Sequence, residues 1–268
     1  MSIHAYGNRP DQVAELSLPD GDVPENGWPV VVLLHGGFWR HQYVRELTAP
    51  LARDVAARGM AAWNLEYRRV PPPDQVVAPA DRGGWPATFA DVAAGIDRLA
   101  DLDAPVDLTR VAVVGHSAGG HLALWATGRT RLPAGVVGAG PRVTPAATVG
   151  LAPVADLVAG QHAGMGNGAM VDLLGGAPDV VPERWALADP VGLVGHGVPV
   201  LLVHGEQDES VPTSQSETYA AAVRAVGGEV ELATGPADHM ALIDPTEPLW
   251  QRAAAWLAAR LGSRSAED

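Results

Sequence analysis

Short apolar runs rich in β-branched residues alternate along this chain with longer stretches whose apolar residues recur at helical spacing. Residues 12–18 (QVAELSL) alternate apolar and polar positions and read as an edge strand closed by Pro19-Asp20-Gly21. Val30–Leu34 (VVVLL) is continuously apolar, as expected of a strand covered on both faces. Residues 43–58 predict a helix stopping at Gly59, and Met60–Tyr67 the next strand, followed by a loop at Pro71, Pro72 and Pro73. A helix over 86–100 and a buried strand over Arg110–Val114 come next, then a helix from just after Ser117 to about Gly128. Residues 147–152 form a weaker strand. From about 155 to 197 Gly and Pro are frequent, with Met165, Met170 and Trp185 scattered among them, which predicts a small cap or insertion over the sheet edge. Pro199–Val203 reads as a strand, 214–226 as a helix, Glu229–Leu232 as a strand and 246–261 as a closing helix.

Strands alternating with helices predict an α/β fold with a doubly wound, mostly parallel sheet. The 268 residues suit one such domain, 1–268, with the 155–197 segment inside it. In such sheets functional residues sit on loops past the carboxyl ends of strands. Composition removes several chemistries. The net charge of −13 argues against nucleic-acid and anionic-membrane partners. The chain has no Cys, so a disulfide, a thiolate metal site and a Cys nucleophile are excluded, and it has no Lys, which excludes a Schiff-base lysine and a Ser–Lys dyad. The first residues, MSIHAYGNRPDQVAEL, carry neither a basic nor an apolar leader segment, and a cytoplasmic location is expected.

The loops carry the chemistry. After RVAVV comes Gly115-His116-Ser117-Ala118-Gly119-Gly120 and then a helix, the context in which G-x-S-x-G forms a nucleophile elbow. VVVLL runs into His35-Gly36-Gly37-Phe38-Trp39, a glycine turn that lets backbone N–H groups approach a carbonyl oxygen. The expected oxyanion donors are the N–H groups of Gly37, Phe38 and Ala118. PVLLV ends in His204-Gly205-Glu206-Gln207-Asp208-Glu209-Ser210-Val211-Pro212, which places Asp208 where a triad acid belongs; Glu206 and Glu209 are read as solvent-facing. Of the nine His, only His239 follows Asp208, matching the order Ser, acid, His, with Asp238 and Asp244 as alternative acids. No HExxH or clustered carboxylate–His spacing is present, so neither metal nor cofactor is expected.

HGGFW, GHSAGGHLALW, HGEQDESVP and DHM, in this order, resemble the α/β-hydrolase superfamily over nearly the whole chain. The HGG-aromatic-Trp turn with GHSAGGH resembles its esterase/arylformamidase branch, which includes kynurenine formamidase-like enzymes; Glu66-Tyr67-Arg68-Arg69 resembles the segment after the fourth strand of these families. In that strand numbering the cap follows the sixth strand. The resemblance implies a metal-independent serine hydrolase acting on a carboxylic ester or aryl formamide. Trp39, Trp85, His116 and Trp185 are the expected substrate-binding residues, giving an apolar pocket for a small acyl substrate. The alternatives are a prolyl-oligopeptidase-like peptidase and a non-catalytic ligand-binding protein on the same fold. No macromolecular partner is expected beyond a second copy of the chain, a homodimer being the alternative to a monomer.

Overall fold

The computed structural model describes residues 1–72 and 74–262; Pro73, the last proline of the expected loop, lies outside them. Eight strands form one sheet: β1 (Ser2–Ala5), β2 (Val13–Ser17), β3 (Trp28–Leu34), β4 (Ala61–Leu65), β5 (Val106–His116), β6 (Ala147–Leu151), β7 (Val200–Gly205) and β8 (Val230–Gly235). Their order is β1-β2-β4-β3-β5-β6-β7-β8. The hairpin β1–β2 and the β2–β4 pair are antiparallel, and every pairing from β4 to β8 is parallel. The helices are α1 (Ala49–Ala57), α2 (Ala87–Asp97), α3 (Ala118–Thr127), α4 (Leu157–His162), α5 (Ala169–Leu174), α6 (Pro182–Ala188), α7 (Ser214–Ala225) and α8 (Pro248–Leu261).

Side-chain alternation in the central strands divides the core between two faces. Val30, Val32 and Leu34 of β3 pack with α2 and α3 on one face, through Phe89, Val92, Ile96, Leu122 and Trp125. Val31 and Leu33 face the other way, against Leu51 and Val55 of α1 and Trp250, Ala254 and Leu257 of α8. A smaller cluster seats Tyr219, Ala220 and Val223 of α7 on Val200 and Leu202. Strands buried on both sides cannot alternate in hydropathy, which is why VVVLL is uniformly apolar.

Several boundaries differ from the sequence expectation. The helix expected over 43–58 begins only at Ala49, because residues 45–48 form a 3₁₀ turn and Pro50 belongs to the first α-helical turn, where its missing N–H costs nothing. β1 was not expected; its residues are largely exposed and it exists through pairing with β2 in the register Ser2↔Leu16 to Ala5↔Val13. β5 starts four residues early, at Val106, where polar Asp107, Thr109 and Arg110 lie outside the core and a register shift between Pro29 and Val30 accommodates them. The 155–197 segment, between β6 and β7, contains α4, α5, α6 and two short 3₁₀ turns. Among the described residues no helix is long and apolar enough to cross a membrane.

Candidate active site

Parallel strands release their loops at one edge of the sheet, and the loops after β3, β5, β7 and β8 meet there. Ser117 stands between β5 and α3 at φ 57° and ψ −119°, a conformation that L-residues adopt only under strain. The tightness of the turn accounts for its glycines. A Cβ on Gly115 would run into the carbonyl of Gly119, and one on Gly119 into the carbonyl of Leu34 at the end of β3. The Ser117 N–H donates to Leu151 at 2.8 Å and its carbonyl accepts from His121 and Val154, so the strained residue is pinned by β6 and by its own helix.

The turn after β3 is held in a related way. Gly37, Phe38 and Trp39 all have positive φ, 110°, 48° and 56°. Arg40 donates back to Gly37 and Val70 to the Trp39 carbonyl. Beneath the turn, His35 contacts the Gly36 carbonyl at 2.8 Å and Glu66 at 2.9 Å, while the Tyr67 hydroxyl donates to the His35 carbonyl at 2.7 Å. Glu66 also pairs with Arg69 and accepts from the Arg45 N–H. Burial acts to raise the Glu66 carboxyl, but His35, Arg69 and the Arg45 N–H together hold it below its ordinary value. Among the described residues the N–H groups of Gly37, Phe38 and Ala118 have no main-chain acceptor.

The loops after β7 and β8 bring an acid to an imidazole. Asp208 Oδ2 lies 2.6 Å from His239 Nδ1, with the carboxylate itself shielded from solvent. Its Oδ1 accepts from the N–H groups of Ser210 and Val211, each at 2.8 Å. Burial works to raise the Asp208 carboxyl, yet the nearby His204 N–H and the hydrogen bonds from His239 and the Val211 N–H hold it well below the usual carboxylate range. The other acids are committed elsewhere. Asp238 accepts from the N–H groups of Met240 and Ala241, Asp244 from Thr246, and Glu206 meets Thr234 on the exposed surface.

Ser117 and His239 line one cavity of about 150 Å³, together with Gly37, Phe38, Tyr43, Leu47, His116, Ser210 and Met240. His116 Nε2 donates to the His239 carbonyl at 2.9 Å, and its ring lies 4.6 Å from that of His239. Burial, with His239 second, pushes the His116 imidazole down to about 3, so it stays neutral. Both residues line this cavity, and among the described residues no hydrogen bond joins Ser117 Oγ to His239.

The expected tryptophans do not line this cavity. Trp39 is fully buried, edge-on to His121 with ring centroids 5.1 Å apart, because the turn drives its side chain into the core. Trp85 packs against Phe89 ahead of α2, and Trp185 is buried with its indole N–H on the Gly176 carbonyl. Tyr43, Leu47, Ser210 and Met240 stand where those residues were expected. Their signal was present: Tyr43 and Leu47 are four apart at the start of a helical pattern, and Met240 follows His239 directly. Among the described residues no three His, Asp or Glu side chains are grouped to hold a metal ion.

The family model described as BD-FAE matches residues 16–223, most of the sheet and the elbow. The chain belongs to the BD-FAE family. Its sheet order and parallel core are those of the α/β-hydrolase fold, and this BD-FAE chain overlays solved structures throughout. It covers 97% of its length and 38% of the other chain in a bifunctional GH43-CE protein of Bacteroides eggerthii, at 24% identity and a TM-score of 0.78. With a truncated carbohydrate esterase from gut microbiota, coverage is 98% and 97%, identity 18% and TM-score 0.76. Esterase LipC of Mycobacterium tuberculosis is 28% identical over 243 residues, 82% of this chain and 54% of that protein. The chain spans about half the length of the curated relatives it matches. The family match carries the superfamily part of the resemblance and does not extend to its arylformamidase branch.

Proposed function

We propose that the chain is a serine hydrolase that cleaves carboxylic esters of small acyl groups, with Ser117 as nucleophile, His239 as base and Asp208 as its orienting acid. The observation that carries this reading is the convergence of a strained serine and an acid-bound imidazole on one small cavity. Asp208 takes the hydrogen of His239 Nδ1, which leaves Nε2 free as an acceptor. On substrate binding Nε2 removes the Ser117 proton as Oγ attacks the acyl carbon. The carbonyl oxygen gathers negative charge among the N–H groups of Gly37, Phe38 and Ala118, at the N-terminus of α3. His239 then returns the proton to the leaving alcohol. Water, deprotonated by the same imidazole, releases the acid from the acyl-enzyme and restores Ser117.

A cavity of about 150 Å³ walled by Phe38, Tyr43, Leu47 and Met240 suits a short acyl chain. Met240, the more exposed of these residues, marks the solvent side of the cavity, where the alcohol part emerges. The carbohydrate esterase and LipC likenesses favour an ester over an aryl formamide, and a hydroxylated alcohol such as a sugar is in keeping with the first of them. The test is kcat/KM for 4-nitrophenyl acetate against N-formylkynurenine, with Ser117→Ala as the blank. The acetate is expected to be preferred and Ser117→Ala to be inert, with stability changed by less than about 1 kcal/mol. Formamide preference would overturn the substrate assignment; turnover by Ser117→Ala would overturn the nucleophile.

A further inference from the structure

His204 lies in β7, four residues before the acid, with its ring fully buried beneath the acid loop. Both ring nitrogens are engaged. Nε2 lies 2.8 Å from the Val211 carbonyl and 3.5 Å from Asp208 Oδ2, and Nδ1 lies 2.8 Å from Ser216 Oγ. A carbonyl oxygen can only accept, so Nε2 carries the hydrogen and Nδ1 accepts from the Ser216 hydroxyl. Ser216 is itself buried, on α7. Hydrogen bonds therefore run from α7 through His204 to the Val211 carbonyl, and they hold Nε2 3.5 Å from Oδ2, the oxygen that accepts from His239 at 2.6 Å.

We infer that His204, its tautomer fixed by the Val211 carbonyl and its ring seated by Ser216, is a positioning residue that sets its Nε2–H dipole against Asp208 Oδ2 beside His239 and thereby tunes the base. The inference deepens the serine-hydrolase reading and rests on it. The titratable groups facing the pair are His204 from β7 and His116 from β5; the N–H groups of Ser210 and Val211 occupy the other carboxylate oxygen. His116 stays neutral and holds the His239 carbonyl, so His204 is the group set beside Oδ2. A carboxylate oxygen with an N–H dipole held against it offers less of its charge to the imidazole on its other side. Without His204 the charge on Oδ2 falls to His239, whose protonated form is then favoured at higher pH. A residue that only braced the loop would have the opposite effect, because a loosened Asp208 stabilises imidazolium less.

The experiment compares kcat/KM against pH for the whole chain and for His204→Phe, His204→Gln and Ser216→Ala, with 4-nitrophenyl acetate as substrate. The acidic limb is expected to move up by about half to one pH unit in His204→Phe. In His204→Gln, whose carboxamide N–H replaces the Nε2 hydrogen, it is expected near its original position. Ser216→Ala, which unpins the ring, shifts it slightly upward. A limb that stays put or moves down in His204→Phe overturns the inference. If that variant does not fold, the same criterion applies to Ser216→Ala. Proton NMR of the His239 Nδ1–H, titrated without substrate, reads the same shift if the unaltered chain turns over no ester. The hydrolase reading then fails while the tuning by His204 is still decided.

Discussion

Replacing Asp208 by Asn removes one charge and adds one donor, and the structure dictates where that donor goes. The carboxylate oxygen Oδ1 accepts from two main-chain N–H groups, of Ser210 and Val211, and these cannot turn away. The amide oxygen of Asn must take that place. Its NH₂ then occupies the Oδ2 position, facing His239 Nδ1 at 2.6 Å, with His204 Nε2 at 3.5 Å. His239 can meet an NH₂ only by accepting with Nδ1, which moves its hydrogen to Nε2 and turns a donor toward Ser117. The base is then in the wrong tautomer for the step it must perform. The expected loss is about 10⁴ in kcat, about 5.4 kcal/mol of barrier, with KM little changed because the cavity lining is intact. The assay is steady-state ester hydrolysis, with circular dichroism to confirm folding. A rate within about tenfold of the original would refute the tautomer argument and send the search for the acid to Asp238 or Asp244.

Four further outcomes are expected. Ser117→Ala abolishes turnover with its melting temperature preserved, as tested above. Gly119→Ala drives a Cβ into the Leu34 and His35 carbonyls, both on unyielding backbone, and should cost at least about 3 kcal/mol in urea unfolding; an unchanged midpoint would contradict the packing described. Tyr43→Ala opens the cavity wall, and the butyrate-to-acetate ratio of kcat/KM is expected to rise about tenfold, whereas an unchanged ratio would remove Tyr43 from the acyl wall. Asp189 is pushed up to about 7, first by burial and then by Asp156. The native state therefore holds a proton that the unfolded chain loses near pH 4, and stability falls as pH rises from about 4 to 7, by up to roughly 4 kcal/mol. Asp189→Asn should flatten melting temperature across that window, and an unaltered slope would show that another group is responsible.

The fold was legible because its dominant constraint, a sheet buried on both faces, writes itself as uninterrupted apolar runs with glycine or proline at their ends. Strands β3 and β7 were located from that pattern to within a few residues, and β4, β6 and β8 from shorter or interrupted runs. The pattern says nothing where a strand is held by pairing alone. β1 buries almost no side chain, and the first residues of β5 are polar, so both are products of register that composition cannot carry. The segment between β6 and β7 was legible only as irregular. Gly164, Gly166, Asn167 and Gly168 all take left-handed conformations there, which a glycine-rich composition permits without specifying.

The candidate site divides along the same physical line. Ser117, Asp208 and His239 could be named from sequence because each must sit just past a strand end, and because the backbone there demands glycines that leave a visible motif. The tryptophans expected at the pocket lie elsewhere, since a large ring adjacent to a turn is equally suited to the cavity and to the core. Trp39 decides how that ambiguity resolves. With φ at 56° following Phe38 at 48°, successive left-handed residues set the two rings edge to face, centroids 6.3 Å apart, with Phe38 on the cavity and Trp39 fully buried against His121. The strain of that turn, about 1–3 kcal/mol for each such residue, is borne by the burial of the indole. In the proposed mechanism the motif's tryptophan therefore serves through the backbone: its burial anchors the turn that carries the Gly37 and Phe38 N–H groups, in place of the expected side-chain contact with substrate.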